Sequence, residues 1–385
     1  MDVPPTFTQE NLLFSVLTPL GDNKLLFKSL QGQERLSKLF SFHLELLSQS
    51  TQLAFDKLDK LVGQPVTVKV QYAPDYTRYF HGHLTRFVQA GRDARFTVYQ
   101  ATIRPWLWFL TRTKNCRIFQ HQSVPDIIRT VFNELGFRDY QFRLIYPYEP
   151  RTYCVQYEET TFNFVSRLLE DEGIFYFFEH TEERHTLILA DDLSAHPPCP
   201  GFSRVRFWEP TLHRLAPPED TITACQFSQQ VITSQYAVDD FNFERPQSNL
   251  QTDLDGRRSR WRVYEYAAGF GQRAQGETKV RRRLEACLAK QQWLTGEGHC
   301  FSLVSGHQFK LVDHLCEAFN RSYVLHQVSH SLSLTYYENT FRALSCHRVL
   351  PPARDDAQAT DCQYPNGHCD GSAGGRDLDR SVWSD

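Results

Sequence analysis

No two cysteines in this chain are spaced C-x-x-C, although ten are present, at positions 116, 154, 199, 225, 287, 300, 316, 346, 362 and 369. Spacing that wide excludes a zinc knuckle or a thioredoxin-like centre and leaves reduced, mostly buried thiols. Methionine is confined to Met1, so no Met-rich adaptable groove is available. A charge excess is missing too: 42 Lys and Arg stand against 45 Asp and Glu. That balance gives no bulk attraction to nucleic acid or to an acidic membrane surface. No apolar run approaches the roughly 18 residues of a spanning helix, so stable membrane insertion is not expected. The start, Met1-Asp2-Val3-Pro4-Pro5, lacks the basic and apolar regions of a signal peptide, and none is expected. H-E-x-x-H, G-x-S-x-G and Walker A patterns are absent.

Aromatic residues, by contrast, are abundant at 14%, and 29 of them are Phe, which suits β-structure with large buried faces. A chain of 385 residues suggests two or three domains. Short strands follow one another through the first hundred residues: 12–17, 25–30, 40–46, 66–72, 78–88 and 95–103. Turn residues separate them, which indicates an antiparallel sandwich or barrel. Ser123-Val124-Pro125-Asp126 opens a helix whose inward stripe is Ile127, Ile128, Val131, Phe132 and Leu135. A second helix is predicted at 161–172, with Gly173 after it. Ile174 to Phe178 reads as a buried strand with a hairpin partner at 186–190. Further strands are predicted at 221–230, 236–243, 309–312, 323–328, 331–336 and 339–344. A helix is expected over 277–293. Residues 351–385 hold seven Asp, four Gly and only four large apolar or aromatic side chains, and read as a disordered tail.

Candidates for chemistry each carry a plainer reading. Glu170-Asp171-Glu172 reads as a solvated helix end and Arg281-Arg282-Arg283 as a solvated helix face. Cys116 and His121 make a nucleophile and base only if the fold joins them. His81 and His83 share a strand face, with no third metal ligand nearby in sequence, so a structural role is favoured. Cys362, His368 and Cys369 are a weak metal signal in the tail. Gly269-Phe270-Gly271 lacks the context of a dinucleotide loop. No catalytic, cofactor-binding or metal residue is assigned, and the chain reads as a non-enzyme.

Several stretches, in collinear order over about residues 9 to 345, resemble the N-terminal part of the VgrG family, the spike proteins of bacterial type VI secretion. They are Phe27 to Ser37 with Phe40-Ser41-Phe42, Leu58 to Gln64, Phe80-His81-Gly82, Gln156 to Thr160 with Phe164 to Tyr176, Asp240 to Pro246, and Asn320 to Tyr323 with His330. The resemblance implies an α+β, mainly β fold with two antiparallel β-barrel hub domains of phage tail hub type, carrying α+β and helical insertions. The expected division is a first barrel at 9–110, an α+β domain at 111–220, a second barrel from 221–246 and 299–345, a helical insertion at 247–298 and a tail at 346–385. Gly32 and Gly63 suit turns, while Phe40, Phe42 and Leu44 suit a barrel interior. Arg167 and the acidic cluster at 170–172 are expected to hold their helix against the following strand.

The implied role is structural. A homotrimer would adapt a sixfold Hcp-like inner tube to a threefold needle, in contact with baseplate proteins and effector proteins. It would be made in the bacterial cytoplasm and then secreted or injected through the apparatus. Family members continue into a small barrel and a β-helical needle, which this sequence lacks. The codons for Asp370 to Trp383, shifted by one nucleotide, can spell a segment similar to the family's entry into that barrel. A frameshift near Cys346 is therefore expected. A phage or prophage tail hub protein is the alternative reading, and a cell-wall hydrolase ranks last.

Overall fold

Alternating apolar residues in the first hundred positions form six strands: β1 (Phe14–Leu17), β2 (Leu26–Arg35), β3 (Ser41–Ser48), β4 (Pro65–Ala73), β5 (Tyr76–Asp93) and β6 (Phe96–Arg104). In this computed structural model they pair antiparallel in the order β1-β4-β5-β6-β3-β2. The description covers residues 7–10, 12–49, 61–93, 95–209, 220–256 and 261–346, which lie within one compact unit. The predicted 346–385 tail and its metal signal thus fall outside the described residues beyond Cys346. Phe40, Phe42 and Leu44 are buried in the core of this first barrel.

Backbone pairing does not join β1 to β2. The side chain of Gln9 fills that seam. Its Oε1 accepts from Val16 N (3.0 Å) and Phe27 N (2.9 Å), while its Nε2 donates to Val16 O (3.3 Å) and Leu25 O (3.2 Å). One carboxamide thereby does for two strands what a residue of an intervening strand would do, satisfying two donors and two acceptors.

A 3₁₀ turn at Trp106–Arg112 leads into β7 (Lys114–Gln122), α1 (Val124–Glu134), β8 (Tyr140–Arg143), β9 (Arg151–Thr160), α2 (Thr161–Glu172), β10 (Phe175–His180) and β11 (His185–Ala190). Ser123 caps α1 by accepting from Asp126 N, and Thr160 caps α2 by accepting from Asn163 N. Gly173, at φ +72°, ends α2 in the left-handed conformation that glycine adopts most readily.

The chain continues through β12 (Arg204–Phe207), β13 (Thr221–Gln229), β14 (Gln235–Asp239), β15 (Thr252–Asp255), β16 (Arg262–Tyr266), α3 (Arg273–Ala289), β17 (Gln292–Gly298), β18 (Gln308–Val312), β19 (Ser322–Ser333) and β20 (Tyr337–Ser345). The order β19-β18-β12-β13-β17-β20 closes on itself through a β19–β20 pairing, giving a second barrel. Its strands are antiparallel except that β12 runs parallel to both β13 and β18. Val205, Ile222, Leu294, Phe309, Leu311, Tyr323, Leu325 and Phe341 fill it.

Several elements differ from expectation. β12 and β17 are barrel strands where no strand was predicted. The strand expected at 331–336 is the end of β19, which turns at Ser333 where its N–H donates to Tyr336 O. The strand expected at 236–243 stops at Asp239, because β14 belongs to a three-stranded sheet with β15 and β16 that packs on α3. Gly63 does occupy a turn, at φ +88°, but Gly32 does not. Gly32 lies inside β2, where a Cβ would stand 2.4 Å from Cδ1 of Phe42, so the ring requires its absence.

Candidate functional site: the joint between the barrels

The two barrels are one continuous sheet. β2 pairs antiparallel with β19 from Ser29↔Ser333 to Arg35↔Gln327. Three polar side chains sit on inward positions at this seam: Glu34 of β2, Arg78 of β5 and His330 of β19, all buried. Arg78 Nη2 donates to Glu34 Oε1 at 2.7 Å, and Arg78 Nη1 donates to Phe301 O at 2.8 Å. The same carboxylate oxygen takes His330 Nε2 at 3.1 Å and Ser305 N at 3.3 Å. Burial alone would raise the Glu34 pKa, but the Arg78 charge and the His330 hydrogen bond outweigh it and hold the carboxyl down at about 2. Tyr337 OH, 2.9 Å from His330 Nδ1, and Asn339 Nδ2, which donates to Cys300 O at 2.6 Å, extend the network into the second barrel. Sequence reading passed over Glu34 and Arg78 as site residues. The available signal was their parity: Leu30, Gly32 and Glu34 share one face of β2, and Arg78 shares the face of Phe80 on β5.

The β10–β11 hairpin is a second tie. Its strands are apolar on both faces, and each face belongs to a different core. Tyr176, Phe178, Leu187 and Leu189 join the core of the first barrel and α+β section. Phe175, Phe177, Ile188 and Ala190 join a cluster with Trp293, Val324 and Leu344 of the second barrel. The continuous run Phe175-Tyr176-Phe177-Phe178 is thus a strand buried on both sides. The hairpin is the wedge between the two barrels.

His81 and His83 lie where this wedge meets the first barrel, and the structure supplies the neighbours that sequence did not. His81 Nδ1 is 2.8 Å from His185 Nδ1, and His180 Nδ1 is 3.0 Å from His81 O. Trp106 N donates to His185 Nε2 at 2.9 Å, so that nitrogen carries a lone pair and the His185 proton sits on Nδ1. It follows that His185 Nδ1–H donates to His81 Nδ1. Those two inward-facing nitrogens are spent on each other rather than free for a metal. Among the described residues, no group of three or more His, Cys, Asp and Glu is arranged to hold a metal ion. Burial pushes the imidazoles toward neutrality, His81 to about 4 and His180 to about 3.

The acidic helix end and the arginine run are not two solvated faces; they meet. Arg283 Nη2 reaches Asp171 Oδ1 at 3.4 Å, Arg282 Nη1 reaches Glu172 Oε2 at 3.3 Å and Lys279 Nζ reaches Asp171 Oδ1 at 2.9 Å. Arg151 contacts Asp171 and Glu172 at 2.6 and 2.7 Å. Asp171 is held down to about 2: burial opposes this, and Lys279 and Arg151 outweigh it. Arg167 binds Glu159 through both carboxylate oxygens and also Val155 O, so it holds α2 against the preceding strand, β9, not the following one. Cys116 and His121 lie exposed on β7. The Gly269–Phe270 amides do grip an anion, but it is the Asp240 carboxylate, at 2.6 and 2.9 Å.

A chain of two sheet-fused barrels with an α+β wedge has known counterparts. The model of the phage tail baseplate hub (GPD) matches residues 33–336, most of the chain. The chain belongs to the phage tail baseplate hub family. Two members from Pseudomonas aeruginosa, the type VI secretion system spike proteins VgrG1b and VgrG1a, are each 37% identical to it, over 334 and 331 residues. Those alignments take in 86% and 85% of this chain but 44% and 50% of the relatives, so the chain spans about half the length of the curated relatives it matches. Among solved structures, an E. coli component of the type VI secretion system, described as similar to the T4 tail proteins gp27 and gp5, superposes with a TM-score of 0.65 at 21% identity. That match covers 88% of this chain and 79% of the other. A tail protein from Neisseria meningitidis superposes with a TM-score of 0.64 at 12% identity, covering 88% of this hub chain and 98% of its own. These likenesses establish the hub fold.

Proposed function

We propose that the chain is the hub of a type VI contractile injection machine, where three copies form a ring that adapts a sixfold Hcp-like inner tube to a threefold needle. The observation that carries this reading is the pair of six-stranded barrels fused edge to edge in one sheet, because three such chains present six barrels. In this reading the ring is built from the first barrel and from β13 with 299–345, while Gln235–Asp239, expected within the second barrel, sits with β15 and β16 in the peripheral sheet. The second barrel also recruits Arg204–Phe207 and Gln292–Gly298. Its work is mechanical: made in the bacterial cytoplasm, it is delivered through the apparatus together with effectors and baseplate contacts, and it catalyses no reaction. A Francisella VgrG has been solved in complex with PdpA, which supports partner binding on this fold. Light scattering tests the ring. The expected result is a concentration-dependent trimer that retains inner-tube protein in a pull-down; a chain that stays monomeric at every concentration overturns it.

A second reading has a specific support: the match to the Neisseria tail protein covers 98% of that chain. A prophage tail hub fits that match as well. Flanking genes separate the two readings, since sheath and tube genes without capsid genes favour secretion and capsid genes favour a virion.

A further inference from the structure

Histidines stand on both sides of the contact between the wedge hairpin and the barrels. On the first-barrel side stand His81 and His83 of β5, His180 of β10 and His185 of β11. His180 and His185 lie against the ring of Phe40, with centroids 5.0 and 5.4 Å away. On the second-barrel side, His196 stacks on Phe175 at 4.7 Å and donates from Nδ1 to Gly306 O at 2.7 Å, and His307 lies edge-on to Phe177 at 5.7 Å. The charged groups that face these rings are already engaged. Glu34 is bound by Arg78, Asp139 pairs with Arg184 at 3.9 Å, Glu179 pairs with Arg143 at 2.8 Å, and Glu182 lies against Tyr79. Each of these carboxylates already has a partner; Glu183 meets His81 through its backbone, and Asp192, which accepts from Ser194 N, lies near His196.

The His81–His185 pair is the sensitive point, because its hydrogen bonds fix the tautomers. His185 uses Nε2 to accept from Trp106 N and Nδ1–H to donate to His81 Nδ1. Protonating His185 at Nε2 sets N–H against N–H and abolishes the Trp106 bond. Protonating His81 at Nδ1 does the same to the bond between the rings. Neither site can take a proton without losing a tie between the hairpin and the first barrel.

We propose that the β10–β11 hairpin is an acid-released wedge: proton uptake by the His81–His185 pair breaks the histidine ties between the hairpin and the first barrel, leaves the Ser37–Tyr176 and Thr67–Glu182 bonds to hold it alone, and loosens the joint between the barrels. The sign follows from burial. The folded rings take up protons only well below the ordinary imidazole value, while an undocked hairpin takes them up from about pH 6.5 downward. Docking is therefore strongest above that value and weakens as pH falls from it toward the folded His81 value of about 4, with burial holding His185 well below its ordinary value too. The opening constant rises up to about tenfold per pH unit for each proton taken up.

Hydrogen exchange on the full wild-type chain tests the wedge, at about pH 7.5 and about pH 5, with rates scaled for intrinsic exchange. Amides of β10 and β11 are expected to lose at least about tenfold protection at the lower pH relative to β18 and β20. Equal change in the two regions, or none, overturns the proposal. His81→Asn keeps an acceptor at the Nδ1 position but cannot titrate, and it should blunt the acid response. A variant that folds and responds like wild type also overturns the proposal. Should that variant not fold, nitrogen-resolved spectra of wild-type imidazoles decide the same point: His185 must carry its proton on Nδ1 near neutral pH, and the opposite tautomer refutes the argument.

Discussion

Glu34 and Arg78 pair in a place where neither can exchange its partner for water. Breaking such a pair from one side leaves the other charge buried, which costs about 3–5 kcal/mol. Glu34→Gln should therefore lower the denaturation midpoint sharply, and pairing it with Arg78→Met should recover much of the loss. A double-mutant cycle in urea measures the coupling, and additive losses would show that the two side chains act separately. Since the Glu34 carboxyl is held down to about 2, its stabilisation is present above its ordinary value of 4.5 and is lost as pH falls between the two. Gln9 gives a second prediction at this scale. Gln9→Leu strips partners from two N–H and two C=O groups across the β1–β2 seam, for a cost of about 1–3 kcal/mol. The amides of Val16 and Phe27 should become the fastest-exchanging in the first barrel. No pattern in the sequence marks Gln9, because its partners are backbone atoms whose positions exist only once the sheet has rolled up. Glu34, Arg78 and His330 were more accessible, being polar residues on the apolar parity of their strands.

Elements with their own local signals were legible. The helix expected at 161–172 is α2 to the residue, since Thr160 caps it and Gly173 stops it. The hairpin at 175–190 was legible from its unbroken apolar run. β12 and β17 were not. β12 has four residues, two of them outward-facing Arg, and its partners are set by barrel closure; β17 holds two glycines that read as turn residues. The insertion's attachment was also hidden, because opposite charges 110 residues apart declare themselves a pair only in three dimensions. Asp171→Asn would leave Lys279 and Arg283 short of a counter-ion at a partly exposed site. A local loss of about 1–3 kcal/mol is expected, seen as faster exchange in α3 with little change in the barrels. Uniform loosening of the whole chain would mean that the cluster does more than fasten the insertion.

At the scale of the molecule, the fold class was legible because two runs of short alternating strands flanked an α+β middle, and the collinear resemblance named the arrangement. What sequence could not give was the continuity of the sheet through β2 and β19. That continuity predicts cooperative behaviour: the barrels should unfold in a single transition when followed by tryptophan fluorescence and by calorimetry. Two separated transitions would show that the seam is weaker than its hydrogen bonds suggest.

The same seam sets a timetable for synthesis. Gln33 and Ser329, bonded across it, are 296 residues apart in the chain. At about 5–20 residues per second, the first barrel, complete at Arg104, is made about 10–45 s before β19, which begins at Ser322. Throughout that interval the β2 edge is an unfilled row of donors and acceptors, open to any passing strand. Nascent chains halted before residue 322 should therefore recruit chaperones or associate with one another, and chains extended through Ser345 should not.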